Sequence, residues 1–299
     1  MTTSGSSPGF TIWIQGARPR TLGAAVAPVA VGTAVTLDDG AISWPRASAA
    51  LIVALALQVA TNFANDLSDG RRGLDGPDRV GPIRLVGSGL ASEGAVKRAM
   101  LLSFGVALVV GGALVLVVGP ELLIVGVLSV AAGWGYTGGN NPYGYRAMGE
   151  LSVFLFFGLV ATAGSTYVQT RDVAPLALVL GSSIGLIASA LLVVNNLRDR
   201  AADERMGKRT LAVRLGDRRT RLLYNGSLAG AGLLVIVAAL RWGWPILLGL
   251  VVGPLGFQAI RKVGGGASGP ELIEVLGITG RILLGGGIAL AIGVALAVS

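Results

Sequence analysis

Nine long apolar runs without a charged residue divide the chain. They cover residues 21–37, 47–65, 99–120, 122–145, 151–170, 173–197, 222–240, 242–260 and 282–299. Each run has 17 to 25 residues, which at about 1.5 Å per residue lets a helix cross a hydrocarbon core of roughly 30 Å. We therefore expect an all-α integral membrane protein with nine transmembrane helices.

The N-terminal residues differ from these runs. Residues 1–15 are rich in Ser, Thr and Gly, and they lack both the basic segment and the long apolar core of a signal peptide. We expect a disordered or interfacial tail here, with the apolar residues around Trp13 at the interface. Residues 16–299 are predicted to form a single domain.

The basic residues lie mainly on one side of the predicted bundle. Of the 24 Lys and Arg residues, 21 fall in the N-terminal segment or in the loops after the second, fourth, sixth and eighth runs. The positive-inside rule places these parts in the cytoplasm and the C-terminus outside the cell membrane. We expect a central cavity that opens toward the cytoplasmic side. The net charge of +8 is then a topology signal and needs no nucleic acid partner.

The composition excludes several classes of protein. Hydrophobic residues make up 53% of the chain and charged residues only 13%, against about 25% charged in soluble domains, so a water-soluble globule is excluded. The chain has no Cys and no His, which excludes disulfides, thiolate or imidazole metal sites and a Ser-His-Asp triad. Its chemistry must use carboxylates, amides, hydroxyls and cations.

Two groups of oxygen-bearing side chains at helical spacing span the ends of apolar runs. The end of the second run carries four of them at offsets of 0, 3, 4 and 7, which is one face of a helix: Asn62, Asn65, Asp66 and Asp69. The end of the sixth run repeats the pattern at offsets of 0, 4 and 8, with one further amide beside it: Asn195, Asp199, Asp203 and Asn196. We call these groups the first and the second stripe.

The stripes have two interpretations. They could cap helices at the membrane edge, where carboxylates meet arginines in solvated pairs. A metal site is favoured, because amides within apolar runs should face an internal cavity and stacked carboxylates need a cation between them. With oxygen ligands only, the metal should be Mg²⁺, which one or two carboxylates hold together with substrate phosphates. The nearby basic residues then predict a bound diphosphate, with Lys208 and Arg209 neutralising it as it leaves and Arg71 and Arg72 in the same basic ring.

The stripes resemble the two Asp-rich motifs of the UbiA superfamily of intramembrane prenyltransferases. The matching residues are Asn65, Asp66 and Asp69 followed by Asp75, and Asp199 and Asp203 followed by Lys208. Many members place a third aspartate four positions after the second, whereas Asp75 lies six positions after Asp69. Three further stretches resemble the branch that prenylates 1,4-dihydroxy-2-naphthoate: residues 17–22, 136–139 with 144–146, and 207–216. The resemblance implies Mg²⁺ ligands at Asp66, Asp69, Asp75, Asp199 and Asp203.

The resemblance also implies an activity. A polyprenyl group would pass from an allylic polyprenyl diphosphate to 1,4-dihydroxy-2-naphthoate, with loss of diphosphate and CO₂, as in menaquinone biosynthesis. The absence of histidine is compatible with this reaction, because loss of CO₂ restores aromaticity without a strong base. The partners expected are the diphosphate, the naphthoate and the lipid bilayer.

Several residues have two interpretations at this stage. Tyr136, Tyr143 and Tyr145 either shield an allylic cation with their rings or belong to the aromatic belt of the interface. Arg146 either recognises the naphthoate carboxylate or serves as a topology charge. A related enzyme with another ring acceptor is the main alternative function. A membrane transporter is disfavoured, because the apolar runs carry no ionisable residue near the midplane.

Overall fold

The computed structural model describes residues 9–40, 42–73, 84–139 and 141–298, and every regular element within these residues is helical. The α-helices are α1 (Phe10–Ala17), α2 (Gly23–Val35), α3 (Trp44–Arg71), α4 (Glu93–Val117), α5 (Glu121–Gly135), α6 (Gly149–Val153), α7 (Ala161–Thr170), α8 (Pro175–Arg205), α9 (Leu211–Trp242), α10 (Gly253–Gly264) and α11 (Pro270–Val298). A π-helical segment, Phe154–Val160, joins α6 to α7, and a 3₁₀ segment, Trp244–Val252, leads into α10.

Helical segments overlap each of the nine apolar runs. Within the described ranges, seven segments are long and apolar enough to cross a membrane: α3, α4, α6 with α7, α8, α9, the segment Trp244–Gly264, and α11. The first and fourth runs overlap the shorter apolar helices α2 and α5. The chain is therefore a helical, multi-pass membrane protein.

Two helices continue beyond their apolar runs and carry the stripes. α3 extends to Arg71 and α8 to Arg205, although their runs end at residues 65 and 197. A charged side chain is costly inside the bilayer, so these extensions place the carboxylates at the membrane edge. The continuous helices also keep the stripe residues in register, one turn above another.

α8 lies in the main buried core, packed against α2, α9 and α11. Small residues let the backbones approach closely. A Cβ on Gly185 would lie 2.8 Å from the Phe154 carbonyl oxygen, and a Cβ on Gly158 would lie 2.5 Å from the Cα of Gly185. Glycine is therefore needed where the π-helical segment crosses α8.

The short helix α1 packs on the end of α3. Trp13 meets Phe63 edge to face, with ring centroids 6.0 Å apart. Because α1 begins at Phe10, it overlaps the tail predicted for residues 1–15, of which residues 1–8 lie outside the described residues. The apolar end of this tail is thus a helix docked on the bundle.

Candidate functional site

A cavity of about 1700 Å³ lies among the helices and reaches the ends of α3 and α8. Its apolar wall comes from α3, α4, α5 and the helix formed by α6 and α7, and includes Val53, Leu57, Leu114, Val127, Phe156 and Val160. Its polar wall includes Asn62, Asn65, Asp69, Arg84, Tyr136, Tyr143, Tyr145, Asn195, Asn196, Arg198, Asp199, Asp203 and Lys208. One end of the cavity is therefore ionic and the other is hydrocarbon-like.

Asp69 is the centre of the ionic end. Its carboxylate is 6% exposed and accepts hydrogen bonds from three side chains. The Tyr145 hydroxyl donates at 2.5 Å, Arg84 at 3.1 Å and Lys208 at 3.3 Å. Two of these donors are cations, so the buried charge of Asp69 is compensated within the site.

Lys208 joins the two stripes. Its Nζ lies 3.3 Å from an Asp69 oxygen and 3.9 Å from an Asp203 oxygen, and 4.6 Å from the centre of the Tyr145 ring. Gly207 makes this possible, because its left-handed φ of 75° ends α8 and turns the chain back. Lys208, which the sequence predicts to neutralise a departing diphosphate, thus lies between one carboxylate of each stripe.

Arg198 holds the outer part of the second stripe. It donates to both oxygens of Asp199, at 2.8 and 2.7 Å, and to Asn195 at 3.0 Å. The Arg198 side chain is only 3% exposed. Sequence reasoning missed Arg198 and Arg84, since spacing alone gave no reason to separate them from the other basic residues of their loops.

Most of the first stripe binds other parts of the protein. Asn62 donates to the Ala17 carbonyl at 2.9 Å, which anchors the C-terminal end of α1. Asn65 accepts a hydrogen bond from Thr137 at 2.8 Å. Asp66 is fully buried, and its oxygens accept the backbone N–H groups of Leu85 and Val86 at 2.8 and 2.9 Å.

Asp66 therefore differs from Asp69 although both were predicted as metal ligands. Asp66 is absent from the cavity wall, and its carboxylate fixes the loop that follows residue 83. Asp75 lies outside the described residues. Of the first-motif aspartates that the structure describes, Asp69 is the one on the wall.

Four of the predicted basic residues are not on the cavity wall. Arg71 pairs with Glu93 at 2.8 Å in an exposed position. Arg72 donates to the Gly139 carbonyl at 2.6 Å and lies 5.0 Å from the Tyr145 ring centre, so it supports the loop that carries this tyrosine. Arg146 and Arg209 are exposed.

The three predicted tyrosines all line the cavity. Tyr136 and Tyr143 meet edge to face with centroids 5.7 Å apart. A Cβ on Gly144 would lie 2.6 Å from the Tyr136 carbonyl oxygen, which explains a glycine at this position. Burial raises the pKa of each hydroxyl, and for Tyr145 the charge of Asp69 raises its pKa further. These hydroxyls therefore stay protonated, and those of Tyr143 and Tyr145 donate to the Ala132 carbonyl and to Asp69.

The donor set on the wall suits Mg²⁺ more than other metals, because it consists of carboxylate and amide oxygens. No group of three acidic side chains is close enough to hold a metal alone among the residues that the structure describes. Asp69 and Asp203 nevertheless share Lys208. This matches a site in which one or two carboxylates bind Mg²⁺ together with phosphate oxygens of a substrate.

Known sequences similar to this chain agree with the family resemblance of its motifs. The model of the UbiA prenyltransferase family matches residues 25–264. A 1,4-dihydroxy-2-naphthoate octaprenyltransferase from Mycobacterium tuberculosis is 47% identical over 282 residues, covering 94% of this chain and 96% of that protein. The protein of the same name from Escherichia coli is 39% identical over 249 residues, covering 79% and 80%.

Solved structures share the fold. The apo structure of a UbiA homologue from Aeropyrum pernix K1 has a TM-score of 0.69 at 15% identity and covers 92% of this chain and 97% of that one. A UbiA homologue from Archaeoglobus fulgidus bound to GPP and Mg²⁺ has a TM-score of 0.67 at 14% identity, with coverage of 93% and 99%. From the family match and the similarity to these proteins, we conclude that this chain belongs to the UbiA prenyltransferase family.

Proposed function

We propose that the protein transfers a polyprenyl group from an allylic polyprenyl diphosphate to 1,4-dihydroxy-2-naphthoate, with loss of diphosphate and CO₂, to give demethylmenaquinol. The observation that carries this proposal is Lys208 between Asp69 and Asp203, at the ionic end of a cavity with a long apolar wall. Such a cavity suits a substrate with an anionic head and a hydrocarbon tail. The names of the relatives support the naphthoate as acceptor.

The cations on the wall would bind the diphosphate. Lys208, Arg84 and Arg198 each lie against a carboxylate, at 3.3, 3.1 and 2.7 Å. Charge-assisted hydrogen bonds to phosphate are among the strongest polar contacts in proteins, and an arginine can make two of them. These side chains would hold the leaving group in place and stabilise its growing charge.

Mg²⁺ would be held by Asp69, Asp199 and Asp203 together with diphosphate oxygens. When bound, it supplies positive charge that lowers the energy of the departing diphosphate. The sequence also predicts Asp66 and Asp75 as ligands of the same motif, and Arg209 and Arg146 as contributors to the reaction. The apolar wall would exclude water from the allylic cation, and the rings of Tyr136 and Tyr143 would face it.

The acceptor needs no strong base. The bond to diphosphate breaks to give the allylic cation, and the ring carbon that bears the carboxylate then forms the new bond to the allylic carbon. Loss of CO₂ then returns an electron pair to the ring and restores aromaticity, so no ring proton has to be removed. A chain without histidine can carry out this reaction.

We also propose the membrane arrangement. α2 and α5 would cross the membrane with the seven longer segments, giving nine spans in one domain over residues 16–299. The distribution of basic residues supports a cytoplasmic N-terminus, an external C-terminus in the cell membrane, and a cavity open toward the cytoplasm. A reporter fused after residue 299 should be active only when exported, and cytoplasmic activity would contradict this arrangement.

A labelling experiment tests the reaction. Purified protein in lipid nanodiscs receives Mg²⁺, a polyprenyl diphosphate and naphthoate labelled in its carboxyl carbon. We expect one CO₂ and one diphosphate released for each prenyl group transferred, and no turnover after chelation of Mg²⁺. Label retained in the lipid-soluble product would refute the naphthoate assignment and favour another ring acceptor.

A further inference from the structure

Glu150 is a buried carboxylate that the proposed chemistry does not use. It lies in the first turn of α6 and is 7% exposed. Its Oε1 accepts a hydrogen bond from Asn196 at 2.9 Å, whereas its Oε2 has no hydrogen-bond partner. No basic side chain forms an ion pair with it in the part of the chain that the structure describes. Burying a carboxyl group with so few partners is unfavourable, which calls for a reason beyond packing.

Glu150 is attached to α8 at two points. Its backbone carbonyl accepts a hydrogen bond from Ser189 at 3.0 Å, in addition to the side-chain bond from Asn196. Ser189 and Asn196 are seven residues apart, so they lie on one face of α8. The same face continues to Asp199 and Asp203 of the second stripe. Glu150 is therefore held in a fixed position relative to that stripe.

This contact determines how the Asn196 amide is oriented. The Asn196 Nδ2 donates to the Oε1 of Glu150, so the amide turns its NH₂ group toward Glu150 and its carbonyl oxygen away. Asn196 lines the cavity; within the described ranges its Oδ1 has no hydrogen-bond partner, and it is not among the enclosed unpartnered atoms. The cavity wall thus presents an acceptor atom at this point.

A second polar atom lies nearby. The Tyr136 hydroxyl would be 3.4 Å from a Cβ on Gly149, the residue before Glu150, and Tyr136 also lines the cavity. Among the described residues this hydroxyl likewise has no hydrogen-bond partner, and it is not one of the enclosed unpartnered atoms. Asn196 and Tyr136 therefore offer an unused acceptor and an unused hydroxyl next to the N-terminus of α6.

We propose that Glu150 is a positioning residue, which fixes Asn196 so that its Oδ1 accepts a hydrogen bond from a ring hydroxyl of the aromatic acceptor. The Tyr136 hydroxyl makes the neighbouring polar contact. This inference rests on the proposed function. A hydrogen bond from the hydroxyl beside the reacting carbon raises the electron density of that carbon, and a ring without the hydroxyl would leave Asn196 unpartnered. Asn196, held by Glu150, therefore favours the binding of hydroxylated rings over rings without a hydroxyl.

Binding of two ligands tests the inference independently of turnover. The probes are 1,4-dihydroxy-2-naphthoate and 2-naphthoate, which keeps the carboxylate and lacks both hydroxyls. We expect the wild type to bind the dihydroxy compound at least about tenfold more tightly. In Glu150→Leu this preference should fall to about twofold, with the affinity for 2-naphthoate and the KM for the prenyl diphosphate unchanged. Ser183→Ala is the matched control, since it removes a buried bond from α8 to the Ala231 carbonyl without touching the cavity.

Exchange of the two partners gives a second test. Asn196→Asp places two carboxyl groups against each other, so naphthoate binding should weaken at least about tenfold. Adding Glu150→Gln supplies an NH₂ donor from the other side, which leaves a carboxylate oxygen facing the cavity. The double variant should return to within about threefold of the wild-type affinity for the naphthoate.

Three results would overturn the inference. They are equal binding of the two ligands by the wild type, an equal loss for both ligands in Glu150→Leu, and no recovery in the double variant. A wild type that binds and discriminates the two ligands but transfers no prenyl group would instead refute the proposed function and leave this inference standing.

Discussion

The two stripes are similar in sequence, but their side chains make different contacts in the structure. In the first stripe, at the end of α3, Asn62, Asn65 and Asp66 form hydrogen bonds with other segments of the protein. Only Asp69 of this stripe takes part in the ionic cluster of the cavity. The second, at the end of α8, lies entirely on the cavity wall. Its carboxylates meet Arg198 and Lys208, which are cations able to bind an anionic substrate.

This difference shows that a shared helical face does not mean a shared role. One turn of helix separates Asp66 from Asp69, yet the first binds two backbone N–H groups and the second binds three side chains. The role of each aspartate depends on which segment of the chain packs against it in the folded protein. Asp66 of the first stripe meets the loop at Leu85, whereas all four residues of the second stripe line the open cavity.

Asp69→Asn should have the largest effect on activity. The change removes the charge that holds Lys208 and Arg84 and that we propose for Mg²⁺ binding, so turnover should fall about 10²- to 10³-fold. Turnover at saturating Mg²⁺ and prenyl diphosphate measures this. Asp217→Asn is the control, because Asp217 is a half-exposed carboxylate paired with Arg221 outside the cavity. Near-normal activity of Asp69→Asn would remove it from the centre of the site.

Lys208→Met should rank second. Lys208 is the link between the stripes, and its loss should lower kcat/KM for the prenyl diphosphate about 10²-fold through weaker stabilisation of the leaving group. Lys262→Met serves as the matched control, since Lys262 pairs with Glu274 at 2.7 Å in an exposed position. If both variants keep wild-type kcat/KM, the bridge between the stripes has no role in binding the diphosphate.

Asp66→Asn should affect stability more than chemistry. The amide keeps one acceptor oxygen but turns an NH₂ group toward a backbone N–H, so the protein should lose about 1–3 kcal/mol of unfolding free energy. Thermal unfolding in detergent measures the loss, and we expect turnover to fall only about tenfold. A loss of Mg²⁺-dependent turnover as large as that of Asp69→Asn, at wild-type stability, would make Asp66 a metal ligand and abolish the contrast.

Tyr145→Phe should have the smallest effect. It removes one neutral donor from Asp69 and leaves both cations in place, so turnover should fall only about fivefold, as expected for a hydrogen bond worth about 1 kcal/mol. The ring that lies 4.6 Å from Lys208 is retained. Steady-state kinetics would show this, and a loss as large as that of Lys208→Met would mean that the hydroxyl touches the substrate.

Part of the site follows from sequence because its physics is local. The helical period places Asp199 and Asp203 on one face, and the cost of charge in the bilayer places that face at the membrane edge. The turn at Gly207 could not be predicted in detail, although the motif spacing already grouped Lys208 with the second stripe. Arg84 and Glu150 could not be found in this way, because their partners Asp69 and Asn196 lie far away in sequence.

The sequence by itself determined a helical, multi-pass membrane protein with two carboxylate stripes and a family resemblance that the comparisons confirmed. Those features depend on hydrophobic run length, helical period and motif spacing, all of which act along the chain. Only the tertiary structure decided which stripe residues face the cavity. The carboxylate of Asp66 binds the N–H groups of Leu85 and Val86, and the amide of Asn196 is oriented by Glu150. A hydrogen bond forms only between atoms that folding brings within about 3 Å, and no pattern along α3 or α8 specifies which distant atoms those are.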